Sequence, residues 1–311
     1  MESRLVPPHG FAMEYVDFSG VRGKGAATLI KLPVRLLRAL WQSWLVLRRV
    51  RPDVVIGLGG YISAPAGVVA ALTGRALMLH EQNSVAGMAN RVLARLARRV
   101  FSAFPDVLPG AAWVGNPLRA GFLRQAAPAE RFSGRSGPLR VLVVGGSLGA
   151  QALNRIVPQA LALLPRDARP VVTHQSGEKQ IDALRASYAT AGVQAELTPF
   201  IQDTAQAFAA ADLVICRAGA STVTELAAVG VAAVYVPFPS AVDDHQTRNA
   251  QFLVAQGGGW LLPQQELTPE ALLPYLQIDR ARLLAVATRA KTMQKLQATE
   301  DMVRACEELS T

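Results

Sequence analysis

Residues 212–226 read DLVICRAGASTVTEL: an apolar run, a turn of small residues, then a segment opening with hydroxyls and a glutamate. A strand that feeds a helix in this way leaves free backbone N–H groups, and the positive end of the helix dipole, at the strand's carboxyl end. Anions bind there. Glu225 follows one turn on, where a carboxylate can accept bonds from a sugar diol. A second junction of the same kind, VLVVGGSLGAQALN, occupies residues 141–154. Two such junctions in one half-chain point to a nucleotide-diphosphate site. A competing reading makes Thr222-Val-Thr-Glu225 a capping box, whose glutamate only bonds back to the cap N–H.

Outward from these junctions, strand-like runs alternate with helical ones: PDVVIG (52–57), ALMLHE (76–81), RVLVVGG (140–146), RPVVTHQ (169–175), DLVICR (212–217) and AAVYVPF (232–238). That alternation predicts an α/β protein of parallel sheets wrapped by helices. At 311 residues the chain exceeds the size of one ordinary core, so two domains are expected. The composition turns rich in Gly, Pro, Ala and Arg after Val114 and ends in SGRSGP (133–138). The expected division is a first domain over 1–118, a linker over 119–138 and a second domain over 139–311, the last helix packing back on the first domain. Before VVIG, FAMEYVDF (11–18) offers one weak strand.

Half of the residues are hydrophobic and 18% are charged, which excludes a disordered or fibrous chain. The two cysteines, Cys216 and Cys306, show neither metal spacing nor a disulfide framework. No metal site is expected. The opening MESRLVPPHG lacks the apolar core of a secretory signal. Residues 54–74 carry no charge, yet Gly57, Gly59, Gly60 and Pro65 break a spanning helix. This stretch reads instead as a strand (VVIG), a loop (LGGYIS) and a helix with Ser63 near its N-cap.

The formal charge of +9 favours polyanions or phosphorylated ligands. Residues 18–52 hold eight Lys or Arg and no acid, interleaved with Leu37, Leu40, Trp41, Trp44 and Leu45 on one helical stripe. Such a stripe either lies at an anionic membrane surface or faces the domain core behind a solvated arginine rim. A second acid-free segment, Asn90 to Arg99, favours a cationic face. No nucleic-acid recognition motif accompanies the charge, so nucleic acid is not an expected partner.

Several polar groups fall at strand ends, where ligands of open α/β sheets bind. Ser147 and the amides after Gly145 suit a phosphate. The polar cluster after VPFP includes Asp243, Asp244 and His245, with Gln246 and Asn249 offering neutral donors and acceptors to sugar hydroxyls. HEQN (80–83) offers His80 and Glu81 as acid–base groups, against the plainer reading that such a histidine is a satisfied structural residue. Arg119, closing GNPLR (115–119), either reaches a phosphate or pyrimidine or braces the linker. GLGGYIS (57–63) with Glu81 mimics a nicotinamide-dinucleotide fingerprint, but Ile62 stands where that fingerprint needs a small residue.

Taken in register, GLGGYIS, HEQN, VGNPLR, VVGGSLGA, RAGASTVTE and DDHQTRNA resemble the MurG family of bacterial cell-wall synthesis, over essentially the whole chain. The resemblance implies the GT-B glycosyltransferase fold, two Rossmann-like domains facing a cleft. It implies inverting transfer of N-acetylglucosamine from UDP-GlcNAc to undecaprenyl-diphosphate-linked N-acetylmuramoyl-pentapeptide, without a cofactor, at the cytoplasmic face of the inner membrane. Asn83, Arg119, Ser147, Ile201 and Gln246 would contact the donor. Ala220, Ser221, Thr222, Val223, Thr224 and Glu225 would hold its diphosphate and ribose, with Glu225 on the ribose hydroxyls. The basic, Trp-bearing segment matches the family's membrane-docking patch. Family members also begin with a strand and a GGTGGH loop, which this chain starts roughly 45 residues too late to include. Two alternatives follow: a form that binds donor and membrane without catalysis, or a related sugar-nucleotide enzyme such as an epimerase.

Overall fold

The computed structural model describes residues 3, 6–18, 32–146, 150–239, 241 and 244–310. They form two compact units, the first comprising Met1–Gln82, Ala86–Trp113 and Glu300–Thr311, the second Asn83–Val85 and Val114–Thr299.

The first unit carries a parallel sheet in the order β1-β2-β3-β4: β1 (Val54–Gly57), β2 (Ala76–Glu81), β3 (Arg99–Ser102) and β4 (Ala112–Trp113). β2 is buried along its whole length, as a strand covered on both faces must be. Helix α1 (Leu32–Val50) precedes β1, α2 (Ser63–Leu72) joins β1 to β2, and α3 (Met88–Leu93) joins β2 to β3. The 54–74 stretch is thus strand, loop and helix, with Ser63 the first helical residue and Ile62 the cap. Among the described residues no helix is long and apolar enough to cross a membrane.

Helix α1 packs by the face that carries its small residues. Ala39, Ser43 and Leu47, spaced four apart, are the buried ones, and Leu47 meets Val69 and Ala70 of α2. Leu37, Trp41, Trp44 and Leu45 lie on the exposed side, with Trp41 61% exposed, and only Leu40 of the expected stripe packs inward. The core-facing reading of that stripe is therefore corrected: Ala39 and Ser43 let the helices approach closely, and the aromatic side is left over. FAMEYVDF is not a strand either. Residues 11–18 have no regular structure and run beside α1, where Asp17 N–H donates to Gln42 Oε1 and Glu14 and Asp17 pair with Arg49 and Arg38.

In the second unit, α4 (Ala120–Leu123) and α5 (Pro128–Phe132) lead into β5 (Arg140–Val144), α6 (Gln151–Ala162), β6 (Val171–Gln175), α7 (Ile181–Ala191) and β7 (Glu196–Thr198). Then follow α8 (Thr204–Ala210), β8 (Leu213–Cys216), α9 (Ala220–Val229), β9 (Ala232–Tyr235), α10 (His245–Val254) and β10 (Trp260–Leu261). α11 (Pro269–Leu276), α12 (Arg280–Thr292) and α13 (Ala298–Ser310) end the chain, α13 joining the first unit from Glu300. The six strands are parallel in the order β10-β9-β8-β5-β6-β7.

β5 and β8 are therefore neighbours from which the connections diverge, and Val144 pairs with Cys216 in register. This is the switch point of the sheet, and it sets the ends of both sequence junctions side by side. Leu213, Val214 and Ile215 are fully buried, worth about 1.5–3 kcal/mol each.

The stretch 119–138, expected to be a linker, is part of the second unit. Arg131 donates to Ala209 O and Val229 O, at the carboxyl ends of α8 and α9, where a cation is favoured. Arg135 and Arg280 both hold the fully buried Asp212 (2.6 and 3.2 Å), which also accepts from Arg140 N–H. Burial raises the Asp212 pKa, but these three donors outweigh it and the net shift is downward.

Candidate functional site

Helix α9 starts at Ala220 with Gly219 as an extended N-cap that makes no side-chain cap bond. Its first intrahelical bond runs from Val223 N–H to Gly219 O. The amides of Ala220, Ser221 and Thr222 thus have no intrahelical acceptor, and they lie at the carboxyl end of β8. The capping-box reading of Glu225 is corrected, because Thr222 is inside the helix and not its cap.

Glu225 is 17% exposed at its side chain, and its Oε1 lies 3.7 Å from Nη2 of Arg119, which is 67% exposed. Burial lifts its pKa from 4.5 to about 7, while Arg119 pulls it the other way. A carboxylate this poorly hydrated gains from accepting two hydroxyl bonds. Arg119 is set by its neighbours: Asn116, buried in the same GNPLR run, donates to Thr224 Oγ1 (3.3 Å), and Arg119 lies over the Phe122 ring. Sequence reasoning missed Asn116, although it stands inside the motif that named Arg119.

Not every residue of the 220–225 segment can touch a ligand. Val223 is fully buried with its N–H already bonded, and the Thr224 hydroxyl is spent on Ala220 O and Ser221 O. These two expectations are corrected: α9 turns both inward, leaving the Ala220–Thr222 amides and Glu225 as the groups of this segment open to a ligand.

Asn249 is likewise corrected. It is fully buried and its carboxamide makes four bonds, accepting from Ser84 N–H (2.9 Å) and Ser84 Oγ (2.7 Å) and donating to Ala218 O and Asn83 Oδ1. Its capacity is full. Asn249 is a clamp that fixes Asn83 and Ser84 beside the turn leading into α9. Gln246, at the start of α10, accepts from Phe238 N–H and so shapes the loop after β9. Ile201 follows β7 and lines a groove of about 410 Å³ beside β5 and β6. From β8 to β7 is three strand spacings, roughly 14 Å. Ser147 lies outside the described residues.

In the first unit, His80 and Glu81 end β2 and are buried, 0% and 4% exposed. Glu81 Oε2 accepts from Asn90 Nδ2 (2.8 Å) and Gly87 N–H (3.2 Å), bracing the start of α3. His80 Nδ1 and His80 O both face the Gln82 carboxamide nitrogen. Both side chains are buried, and these bonds tie them to neighbours no more than nine residues away in the chain. Among the described residues no group of His, Cys, Asp and Glu could hold a metal.

Parallel-sheet units, with open helix amides and a partly buried glutamate at the switch point of the second, fit the GT-B class of glycosyltransferases. Residues 140–306 match the glycosyltransferase family 28 C-terminal domain and residues 1–102 the N-terminal domain of that family. The chain is 71% identical over 310 residues to the UDP-N-acetylglucosamine--N-acetylmuramyl-(pentapeptide) pyrophosphoryl-undecaprenol N-acetylglucosamine transferase of Albidiferax ferrireducens, covering 99% of this chain and 80% of that protein. Its identity to the like-named protein of Burkholderia vietnamiensis is 58%, over 98% of this chain and 85% of the other. Among solved structures, Acinetobacter baumannii MurG superposes with a TM-score of 0.87 at 38% identity, covering 99% of this chain and 88% of that one. A UDP-N-acetylglucosamine 2-epimerase from Listeria monocytogenes (TM-score 0.62, 13% identity) shares the fold alone. The chain belongs to the MurG family, within glycosyltransferase family 28.

Proposed function

We propose that the chain transfers N-acetylglucosamine from UDP-GlcNAc to undecaprenyl-pyrophosphate-linked N-acetylmuramyl-pentapeptide. The observation that carries this is the α9 start: three amides without intrahelical acceptors at a switch point, with Glu225 one turn on and Arg119 beside it. The amides of Ala220, Ser221 and Thr222 take the diphosphate and stabilise the charge that develops as UDP leaves. Glu225 accepts the ribose hydroxyls. Ile201, Gln246, Asn83 and Ser147 complete donor recognition. Relatives up to 71% identical that bear this activity in their names support the reading, and they do not favour the epimerase alternative.

The chain acts at an anionic membrane surface on the cytoplasmic face, as a peripheral protein. Support comes from α1, whose exposed side bears Leu37, Trp41, Trp44 and Leu45 among arginines.

The test is calorimetric titration of the purified protein with UDP and UDP-GlcNAc, followed by transfer to a lipid-linked acceptor in anionic vesicles. Binding with transfer is the expected result. A folded protein with no affinity for either nucleotide overturns the reading, and binding without transfer selects the non-catalytic alternative.

A further inference from the structure

β6 ends in His174 and Gln175, which are 0% and 3% exposed, and neither is among the residues given to the donor. Successive residues of a strand point to opposite faces, so the two serve different neighbours. His174 faces the helices: its Nε2 meets Asn154 Oδ1 on α6 (3.0 Å) and its Nδ1 meets Tyr188 Oη on α7 (3.0 Å). Asn154 Nδ2 donates in turn to Gln180 Oε1 (2.9 Å). That chain holds both helices to β6.

Gln175 serves loops instead. Its Nε2 donates to Gly146 O (3.1 Å), in the turn that leaves β5, and to Pro199 O (3.0 Å), in the turn that leaves β7. A carboxamide nitrogen has two N–H groups, and both are spent here. The acceptors fix its orientation, since a flipped amide would set Oε1 against two carbonyl oxygens. β6 lies between β5 and β7, so one side chain bridges the turns on either side of its own strand.

The backbone supports the two sides of this bridge unequally. On the β7 side, Ser176 N–H donates to Thr198 O and Gly177 N–H to Pro199 O (3.1 Å each), and the Thr198 hydroxyl donates to Phe200 O (2.8 Å). On the β5 side the ladder closes with a longer bond, Gly145 N–H to Gln175 O (3.3 Å), and Gly146 then turns away with φ +81°. The Gln175 side chain is thus the brace that fixes the β5 turn against the β7 turn. Both turns lead into the proposed donor set. The amides after Gly145 suit a phosphate, and Phe200 and Ile201, just beyond Pro199, offer the apolar contact that the face of a nucleobase takes.

We infer that Gln175 is a positioning residue for donor binding: by tying the β5 turn to the β7 turn, it sets the spacing between phosphate contacts and base contacts. It touches no ligand itself, and its role rests on the donor reading above. Two groups joined in one ligand bind better than either alone only while their subsites keep the separation that the ligand spans. Loss of the brace therefore weakens the whole ligand more than its parts.

The experiment is calorimetry on the full chain with UDP, uridine and pyrophosphate, with a thermal melt beside each titration. In Gln175→Met, which keeps the length and removes both donors, UDP affinity should fall about tenfold while uridine and pyrophosphate stay within about twofold of the parent. Gln175→Glu keeps the shape but turns a carboxylate towards two carbonyl oxygens, so UDP affinity should fall at least as far. UDP affinity equal to the parent in both variants overturns the inference. So does a loss of uridine and pyrophosphate binding in step with UDP, or of the cooperative melt in both variants, because Gln175 is then general architecture. A parent that binds no UDP is a separate result, which overturns the donor reading and this inference with it.

Discussion

Glu81 at the end of β2 and Glu225 in the helix that follows β8 lie one in each unit, and their environments differ in kind. Glu81 closes β2, is 4% exposed, and has an oxygen committed to Asn90 and to the amide of Gly87. Glu225 sits one turn into α9, is lifted to a pKa of about 7, and its one ion pair among the described residues is with a distant, solvent-exposed arginine. Both carboxyls are largely out of water, so burial does not tell them apart. Satisfaction does: a buried carboxylate whose bonds are filled from within its own unit is architecture, and the one short of donors among the described residues is the one proposed to bind the ribose.

The contrast can be broken most sharply at Glu225. Glu225→Ala removes two charge-assisted bonds to the ribose, together about 3 kcal/mol, so UDP affinity should fall about 100-fold by calorimetry. The melting temperature should hardly move, since a poorly solvated carboxyl has been taken away. Glu81→Ala should do the reverse. It leaves the Asn90 amide and the Gly87 N–H unmatched, costing about 1–3 kcal/mol of stability in urea unfolding while UDP affinity is kept.

A pH titration sharpens the comparison further. With Glu225 near pKa 7 and its ionised form the acceptor, UDP affinity should drop about tenfold from pH 8 to pH 6, and Glu225→Gln should flatten that profile. The stability contribution has the opposite sign. A carboxyl raised from 4.5 keeps its proton longer in the folded state, so its contribution falls as pH rises through the window from 4.5 to about 7. Asp212 behaves in the usual way for a depressed carboxyl, its contribution present above the unfolded value and lost as acid protonates it. The smallest effect is expected for Arg119→Ala. The 3.7 Å pair with a 67%-exposed side chain is worth under about 1 kcal/mol, visible as a further upward shift of the Glu225 pKa by NMR.

How much of this was legible beforehand follows from what each residue depends on. The six strands read from alternating runs are all present, because each combines apolar residues with a turn signal. β3, β4, β7 and β10 were not seen: β4, β7 and β10 have two or three residues, too few to show a period, and β3 opens on an exposed arginine in place of an apolar run. Their place comes from pairing with a neighbour. The α9 junction was legible as structure because a strand end, a small-residue turn and a helix start are set by consecutive residues. Asn249 was misread for the converse reason: a polar residue beyond a strand end looks the same whether it meets a ligand or a residue far away in the chain, and Ser84 is 165 positions from Asn249. The stripe on α1 was ambiguous because periodicity fixes that a helix has two faces but not which one the neighbour's small residues invite.

That inverted packing of α1 equips the chain with a built-in optical reporter. Trp41 and Trp44 stand on the open side, 61% and 37% exposed, whereas Trp113 is tied through its indole N–H to Ala103 O and Trp260 is packed beside Tyr275. Burying the open side in any apolar phase would shift the emission of the first pair to the blue and leave the second pair as an internal standard, so adsorption can be followed without attaching a dye.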